Sequence, residues 1–257
     1  MVQSIQHNIR RIFRITAVGS SFFFFFIGGL LLSWVVLPLL FVFSKRDHRL
    51  CQKVVQYAFR LFHAYMRWFG LINYRPQTSP DLPIDGPCVI IANHPTLVDV
   101  TAIMARYNDI HCFVKASLFK NPVTGPLLRC CGHISAADGT QAIAKALRFL
   151  DNGARILIFP EGTRSPQGAI GHFDPMAFRL AARAGVPLCT LHVTVTTPAL
   201  SKNVPWFKFP DKPVFMRIHP MLCFSVCKQT SSRIPASQLA QNIQDCYDRW
   251  NVSSRNL

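Results

Sequence analysis

Acidic residues are scarce in this chain. Twelve Asp and Glu stand against 28 Lys and Arg in 257 residues, a net charge of +16, and Glu161 is the only glutamate. Such a balance implies an anionic partner: nucleic acid, an anionic membrane surface or a phosphorylated small molecule. The placement of the charge disfavours nucleic acid. Residues 1 to 80 carry ten Lys and Arg and one acid, Asp47, around the most hydrophobic stretch, and no recognition module is present. Also missing are a Gly-x-Ser-x-Gly elbow, a P-loop, His-Glu-x-x-His and Gly-x-Gly-x-x-Gly, so a serine-hydrolase, nucleotide-cradling, zincin or dinucleotide reading has no support. The nine cysteines, at 51, 88, 112, 130, 131, 189, 223, 227 and 246, form no regular framework and no Cys-x2-Cys pair with histidines at zinc spacing. No metal is therefore expected. Cys130-Cys131 and Cys223/Cys227 read as buried thiols, and a reduced, cytosol-facing domain fits best.

Charge is absent altogether from Ile15 to Ser44, thirty positions that include Phe22 to Phe26. About 20 apolar residues span a bilayer, so this is a membrane segment. It is too long for the apolar region of a signal peptide and ends at Lys45-Arg46. The surplus length allows a tilted span, while Gly28-Gly29 and Pro38 allow a kink or a re-entrant hairpin. The larger basic excess follows the segment, which places the C-terminal part in the cytoplasm. Leu50 to Leu71 follows as an amphipathic helix with Lys53, Arg60 and Arg67 on one stripe and Tyr57, Tyr65 and Trp68 as interfacial aromatics. It reads as lying in the membrane surface, or as packed on the domain, which the first does not exclude.

Three regions result: a membrane-anchoring helical region over 1–74, a Pro-rich linker over 75–86, and an α/β domain over 87–257. In the last, strand patterns at Val89–Ala92, His111–Val114, Arg155–Phe159 and Leu188–Thr196 alternate with helix patterns at Pro95–Tyr107, Ser117–Arg129, Gly139–Leu150 and Asp174–Ala184. Val214–Ile218 and Leu222–Val226 look like a late strand pair. Ser237–Trp250 closes the chain as a helix with Leu239, Ile243, Cys246, Tyr247 and Trp250 inward. This order predicts a mainly parallel or mixed sheet flanked by helices, preceded by the membrane helix and the amphipathic helix.

Two stretches carry chemistry. Asn93-His94-Pro95-Thr96-Leu97-Val98-Asp99 follows the first strand. His94 and Asp99 would stand about 140° apart on one regular helix, but Pro95 favours an extended His94 and a helix start just after it. Asp99 can then reach back to the imidazole, fixing one nitrogen and leaving the other as a base. Phe159-Pro160-Glu161-Gly162-Thr163-Arg164-Ser165 likewise follows a strand. Gly162 lets backbone approach a ligand, Thr163 and Ser165 offer hydroxyls, and Arg164 offers a fork suited to phosphate or carboxylate. Ligands of open α/β sheets sit beyond the carboxyl ends of strands, so the two loops are expected to line one crevice. A base with an orienting acid and no evident nucleophile suggests that the substrate brings the nucleophile; with the membrane segment, this points to group transfer onto a lipid hydroxyl.

At these residues the chain resembles the glycerolipid acyltransferases typified by lysophosphatidic acid (1-acylglycerol-3-phosphate) acyltransferase. Asn93, His94 and Asp99 match the family's Asn-His-x4-Asp motif, and Phe159 to Ser165 match its Phe-Pro-Glu-Gly-Thr-Arg-Ser motif at every position. Val114-Lys115, Leu118 to Pro122, Gly125, Leu128-Arg129 and Gly132 to Ile134 look like its second block, and Val186-Pro187-Leu188 like its fourth. The resemblance, over about Pro87 to Thr196, implies His94 as general base with Asp99 orienting it, and direct attack of the acceptor hydroxyl on an acyl thioester. It further implies that Gly162, Thr163 and Arg164, with Lys115, bind substrate phosphates, and that Glu161 positions the acceptor or orders the Arg164 loop. The donor would be acyl-coenzyme A or acyl-acyl carrier protein as co-substrate, with membrane lipids as partners and no cofactor; no oligomer signal is evident. Many members have a basic residue where this chain has Ser135-Ala136-Ala137-Asp138, which keeps open a phosphate-free lipid acceptor. A catalytically silent lipid-binding membrane protein is the alternative of another class.

Overall fold

The protein is described here from a computed structural model covering residues 2–74, 86–166, 169–210, 214–224 and 235–255. Its strands are β1 (Ile72–Tyr74), β2 (Val89–Ala92), β3 (Ile110–Val114), β4 (Ile134–Ser135), β5 (Arg155–Ile158), β6 (Leu188–Val195) and β7 (Val214–Phe224). Among the described residues they form one seven-stranded sheet in the order β1-β7-β6-β2-β5-β3-β4. Every pairing is parallel except that of β6 with β7. The carboxyl ends of β2, β3, β4, β5 and β6 therefore share one edge, and the loops leaving them gather there. The central strand β2 is apolar throughout because both its faces are covered: Val89 and Ile91 enter one core cluster, Ile90 and Ala92 the other.

On one face lie α1 (Val2–Leu31), α3 (His48–Trp68) and α4 (Asp99–Arg106), contributing Ala17, Val18, Met66, Ala102 and Ile103. On the other lie α7 (Gly139–Asp151), α8 (Met176–Ala184) and α9 (Ala236–Arg255), contributing Ala146, Leu150, Phe178, Ala181 and Tyr247. The Tyr247 hydroxyl, wholly buried, donates to the carbonyls of Leu191 at 3.0 Å and Ile91 at 3.3 Å, which satisfies its polar end inside the core.

Several expectations need correction. The helix read from Pro95 begins at Asp99, because residues 96–98 form a turn that Asp99 itself holds. The expected late strand pair is one strand, β7. Pro220 is tolerated in it because β1 pairs only with Val214 to Met216, leaving Pro220 on a free edge beside a register shift in β6. Ile72–Tyr74, assigned to the helical region, belongs to the sheet; the expected linker lies outside the described residues apart from Gly86. Trp250, expected inward, is 47% exposed, and Ala240 is buried on that helix instead. Cys223, read as a buried thiol, instead forms a disulfide with Cys189, since β6–β7 register sets them directly opposite with Cα atoms 4.2 Å apart. The other described cysteines are free, and Cys227 lies outside the described residues.

The apolar segment is one helix long and apolar enough to cross a membrane, Asn8–Phe43, running through α1, a π-helical turn at Leu32–Val36 and α2 (Leu37–Phe43). Phe23, Phe24, Ile27, Leu31 and Trp34 are exposed on it. It is also fastened along its length to the domain. Arg14 donates to the Pro210 carbonyl at 2.8 Å, Ser20 bonds Tyr65 of α3 at 2.8 Å, and Trp34 donates to the Pro122 carbonyl at 2.8 Å. Ser33 donates to the carbonyl of Val123, whose side chain packs so close to Gly29 that a Cβ there would lie 2.9 Å away. Gly29 thus serves close approach; the irregularity falls at the π turn.

Among the histidines that burial pushes below their ordinary 6.5, His63, His111 and His192 fall to about 4 and His133 to about 3. His133 accepts a hydrogen bond from the Cys112 N–H through Nδ1, a bond the protonated ring cannot accept. Between pH 6.5 and about 4 the unfolded chain therefore binds protons that the folded chain refuses, and stability falls as pH falls through that window. Each such histidine costs up to about 2 kcal/mol at pH 5. Denaturant unfolding in detergent should show a lower midpoint at pH 5.0 than at pH 7.5; equal midpoints would contradict this accounting.

Candidate active site

Asn93 leaves β2 and continues its pairing through a side chain: its Nδ2 donates to the Val193 carbonyl at 2.9 Å and its Oδ1 accepts from the Val193 N–H at 2.7 Å. The chain then turns, and His94 and Asp99 meet. The Nδ1···Oδ2 distance is 2.8 Å, and because a carboxylate only accepts, Nδ1 carries the proton and Nε2 presents a lone pair. The imidazole side chain is 17% exposed and that of Asp99 is 0% exposed. Asp99 also accepts from the Thr96 N–H at 2.6 Å and from the Thr96 hydroxyl. It opens α4, where the N-terminal end of the helix favours a negative charge. A buried carboxylate with these donors holds the ring in one orientation.

The second loop is sewn to the first. Ser165 N–H donates to the His94 carbonyl at 2.8 Å, and the His94 N–H is shared between Glu161 Oε1 at 3.0 Å and Ser165 Oγ at 3.1 Å. Ser165 Oγ in turn donates to Glu161 Oε1 at 2.6 Å, and the Gly171 N–H donates to Oε2 at 2.7 Å. The Phe159 ring lies 4.6 Å from the His94 ring, centroid to centroid. Of the two roles the sequence left open for Glu161, the contacts correspond to ordering the loops. Gly162 adopts φ +63° in the turn closed by its N–H to the Phe159 carbonyl, a conformation glycine takes without strain.

Arg164 Nη1 donates to the carbonyls of Leu200 and Ser201, each at 3.1 Å, so part of the fork read as phosphate-binding fastens the loop after β6. Leu97 N–H reaches the same Leu200 carbonyl at 3.0 Å. Thr163 is half-buried beside them. Lys115 sits at the carboxyl end of β3, on the same sheet edge but beyond β5 from His94; its side chain is exposed and makes no hydrogen bond or ion pair among the described residues. Sequence reasoning did not pick out Gly171, which sits ten residues after Glu161 with no motif to mark it, nor Leu200 and Ser201, which act only through carbonyls. Among the described residues no group of three His, Cys, Asp or Glu could hold a metal ion.

The family model described as Acyltransferase matches residues 73–194, which contain both loops. The matched stretch is a little under half of this chain. The chain is similar, at 29% identity over 162 residues, to the chloroplastic 1-acyl-sn-glycerol-3-phosphate acyltransferase BAT2 of Brassica napus, covering 58% of this chain and 46% of that protein. It is 28% identical over 185 residues to a 1-acyl-sn-glycerol-3-phosphate acyltransferase of Pseudomonas aeruginosa, covering 70% and 69%. The chain spans under half the length of the Brassica napus, Arabidopsis thaliana and Chlamydomonas reinhardtii relatives it matches. Its fold matches the crystal structure of a 1-acyl-sn-glycerophosphate acyltransferase from Thermotoga maritima with a TM-score of 0.67 at 22% identity, over 97% of this chain and 98% of that one.

The role of Glu161 in this site is open to a direct check. Glu161→Gln turns an acceptor into a donor against the N–H of His94 or Gly171, and Gly171→Ala places a Cβ 2.7 Å from Glu161 Oε2. Each should destabilise the domain by about 1–3 kcal/mol in denaturant unfolding. A Glu161→Gln protein of unchanged stability whose only defect is a raised acceptor KM would make Glu161 a substrate ligand instead.

Proposed function

We propose that the protein moves a fatty acyl group from an acyl thioester, of coenzyme A or acyl carrier protein, to the free hydroxyl of 1-acylglycerol-3-phosphate, giving phosphatidic acid. The observation that carries this reading is the His94–Asp99 pair, whose Nε2 is left with a lone pair on a ring that is partly exposed. Nε2 takes the proton of the acceptor hydroxyl as its oxygen attacks the thioester carbonyl. The tetrahedral intermediate then collapses, the C–S bond breaks, and the imidazolium returns the proton to the departing thiolate. The hydroxyls of Thr96 and Ser165, which lie in the two motifs, are buried and donate to Asp99 and Glu161, so both are unsuited to be nucleophiles. This supports a direct transfer without an acyl-enzyme.

For the acceptor, the basic sheet edge with Lys115 and Arg164 favours a phosphate group, and the relatives' named substrate agrees. Asp138, exposed in the 3-10 turn after β4 on the same edge, is the observation that favours the second reading, a phosphate-free lipid acceptor. Membrane association is supported by the exposed apolar helix. Because that helix is fastened to the domain at Arg14, Ser20, Ser33 and Trp34, we read it as lying within one leaflet beside the domain, on the cytoplasmic side, rather than projecting straight across.

Purified protein in liposomes, a labelled acyl thioester, and a panel of lysophosphatidic acid, other lysolipids and phosphate-free acceptors test the proposal. Transfer to lysophosphatidic acid is expected, with His94→Ala and Asp99→Asn each lowering kcat by about 10²–10⁴-fold. Transfer unaffected by His94→Ala would end the mechanism, and transfer confined to phosphate-free acceptors would replace the substrate.

A further inference from the structure

The loop from Thr196 to Pro210 is anchored at both ends and displays its middle. Ala199, Leu200 and Ser201 are buried on one side, and Phe209 on the other. Between them two turns, closed by Val204 N–H to the Ser201 carbonyl at 3.3 Å and Lys208 N–H to the Pro205 carbonyl at 3.0 Å, hold Trp206 and Phe207 outward at 45% and 50% exposure. One aromatic, Phe209, folds into the core; the neighbouring two do not. The Trp206 ring meets Phe22 of α1 with centroids 6.3 Å apart and closes over Gly19, so the displayed pair continues the exposed apolar face of α1 at Phe23 and Phe26. Lys202 and Lys208 flank the tip, and Arg14 bonds the carbonyl at its end.

An aromatic pair ringed by basic groups and continuous with a membrane-facing helix has the chemistry of an anionic lipid surface: Trp suits the headgroup boundary, and Lys the leaflet's negative potential. We propose that the Trp206–Phe207 tip seats in the headgroup layer of an anionic leaflet, and that this contact holds the crevice wall which Leu97 and Arg164 grip at Leu200 and Ser201. The inference rests on the membrane reading above. It makes the loop the part of the site that reads whether the acceptor is presented from a bilayer.

Full-length protein in nanodiscs of phosphatidylcholine and phosphatidylglycerol, with chains brominated close to the headgroup, provides the test without any acyl donor. Subtracting the emission of Trp206→Phe isolates Trp206, and bromolipid should quench it while aqueous iodide does so weakly. Phe207→Asp should reverse that preference and lower turnover of vesicle-borne acceptor by roughly tenfold, with turnover of a detergent-dispersed short-chain acceptor within about twofold, whereas Phe207→Leu keeps both. Trp206 open to iodide and blind to bromolipid overturns the proposal, as does undiminished vesicle turnover in Phe207→Asp. A Phe207→Asp defect seen only with an acyl carrier protein donor would assign the tip to protein docking instead. Quenching requires no turnover, so it reports on the loop even if the proposed reaction fails.

Discussion

The carboxylate of Asp99 is the point on which the crevice hangs. It is out of contact with water and accepts three hydrogen bonds, from His94 Nδ1, the Thr96 N–H and the Thr96 hydroxyl. Those bonds fix at once the imidazole's tautomer, its direction, and the turn that separates strand from helix. A chain that lost this acceptor would leave a buried imidazole N–H and a turn N–H without partners, each costing about 1–3 kcal/mol. The same bond that leaves the Nε2 lone pair free is thus also a structural bond.

Around that point the sheet does the positioning. Parallel β2, β5 and β6 bring three loops to one edge, and each is tied to the next: His94 to Ser165 and Glu161, Arg164 to Leu200 and Ser201, Leu97 to Leu200. The third loop then meets α1 through Trp206 and Arg14. A continuous path of contacts runs from the exposed apolar helix to the histidine, so that helix and the site are parts of one arrangement.

Much of this was legible in the residues. Pro95 and the five-residue spacing announced that His94 and Asp99 could meet, and unbroken apolar runs announced strands covered on both faces. What escaped was long-range or backbone-borne. Gly171 matters because its N–H meets Glu161, and nothing in a glycine's identity names its partner. The three residues of β1 are too few to show a period, and they pair with residues beyond position 213. The helix start moved from Pro95 to Asp99 because the side-chain bonds of Thr96 favour a turn over helix at that place. Trp250 followed the helical period inward by sequence, yet the sheet face is already filled there by Tyr247 and Ile243.

The central claim is that His94 activates the acceptor directly, with no acyl group ever carried by the protein. It is tested most directly by mixing the protein with labelled acyl thioester in the absence of acceptor, denaturing within the time of one turnover, and reading the label that stays on the chain. The account predicts none above the His94→Ala background. Stoichiometric label on a serine or cysteine of the crevice, discharged when acceptor is added, would contradict it.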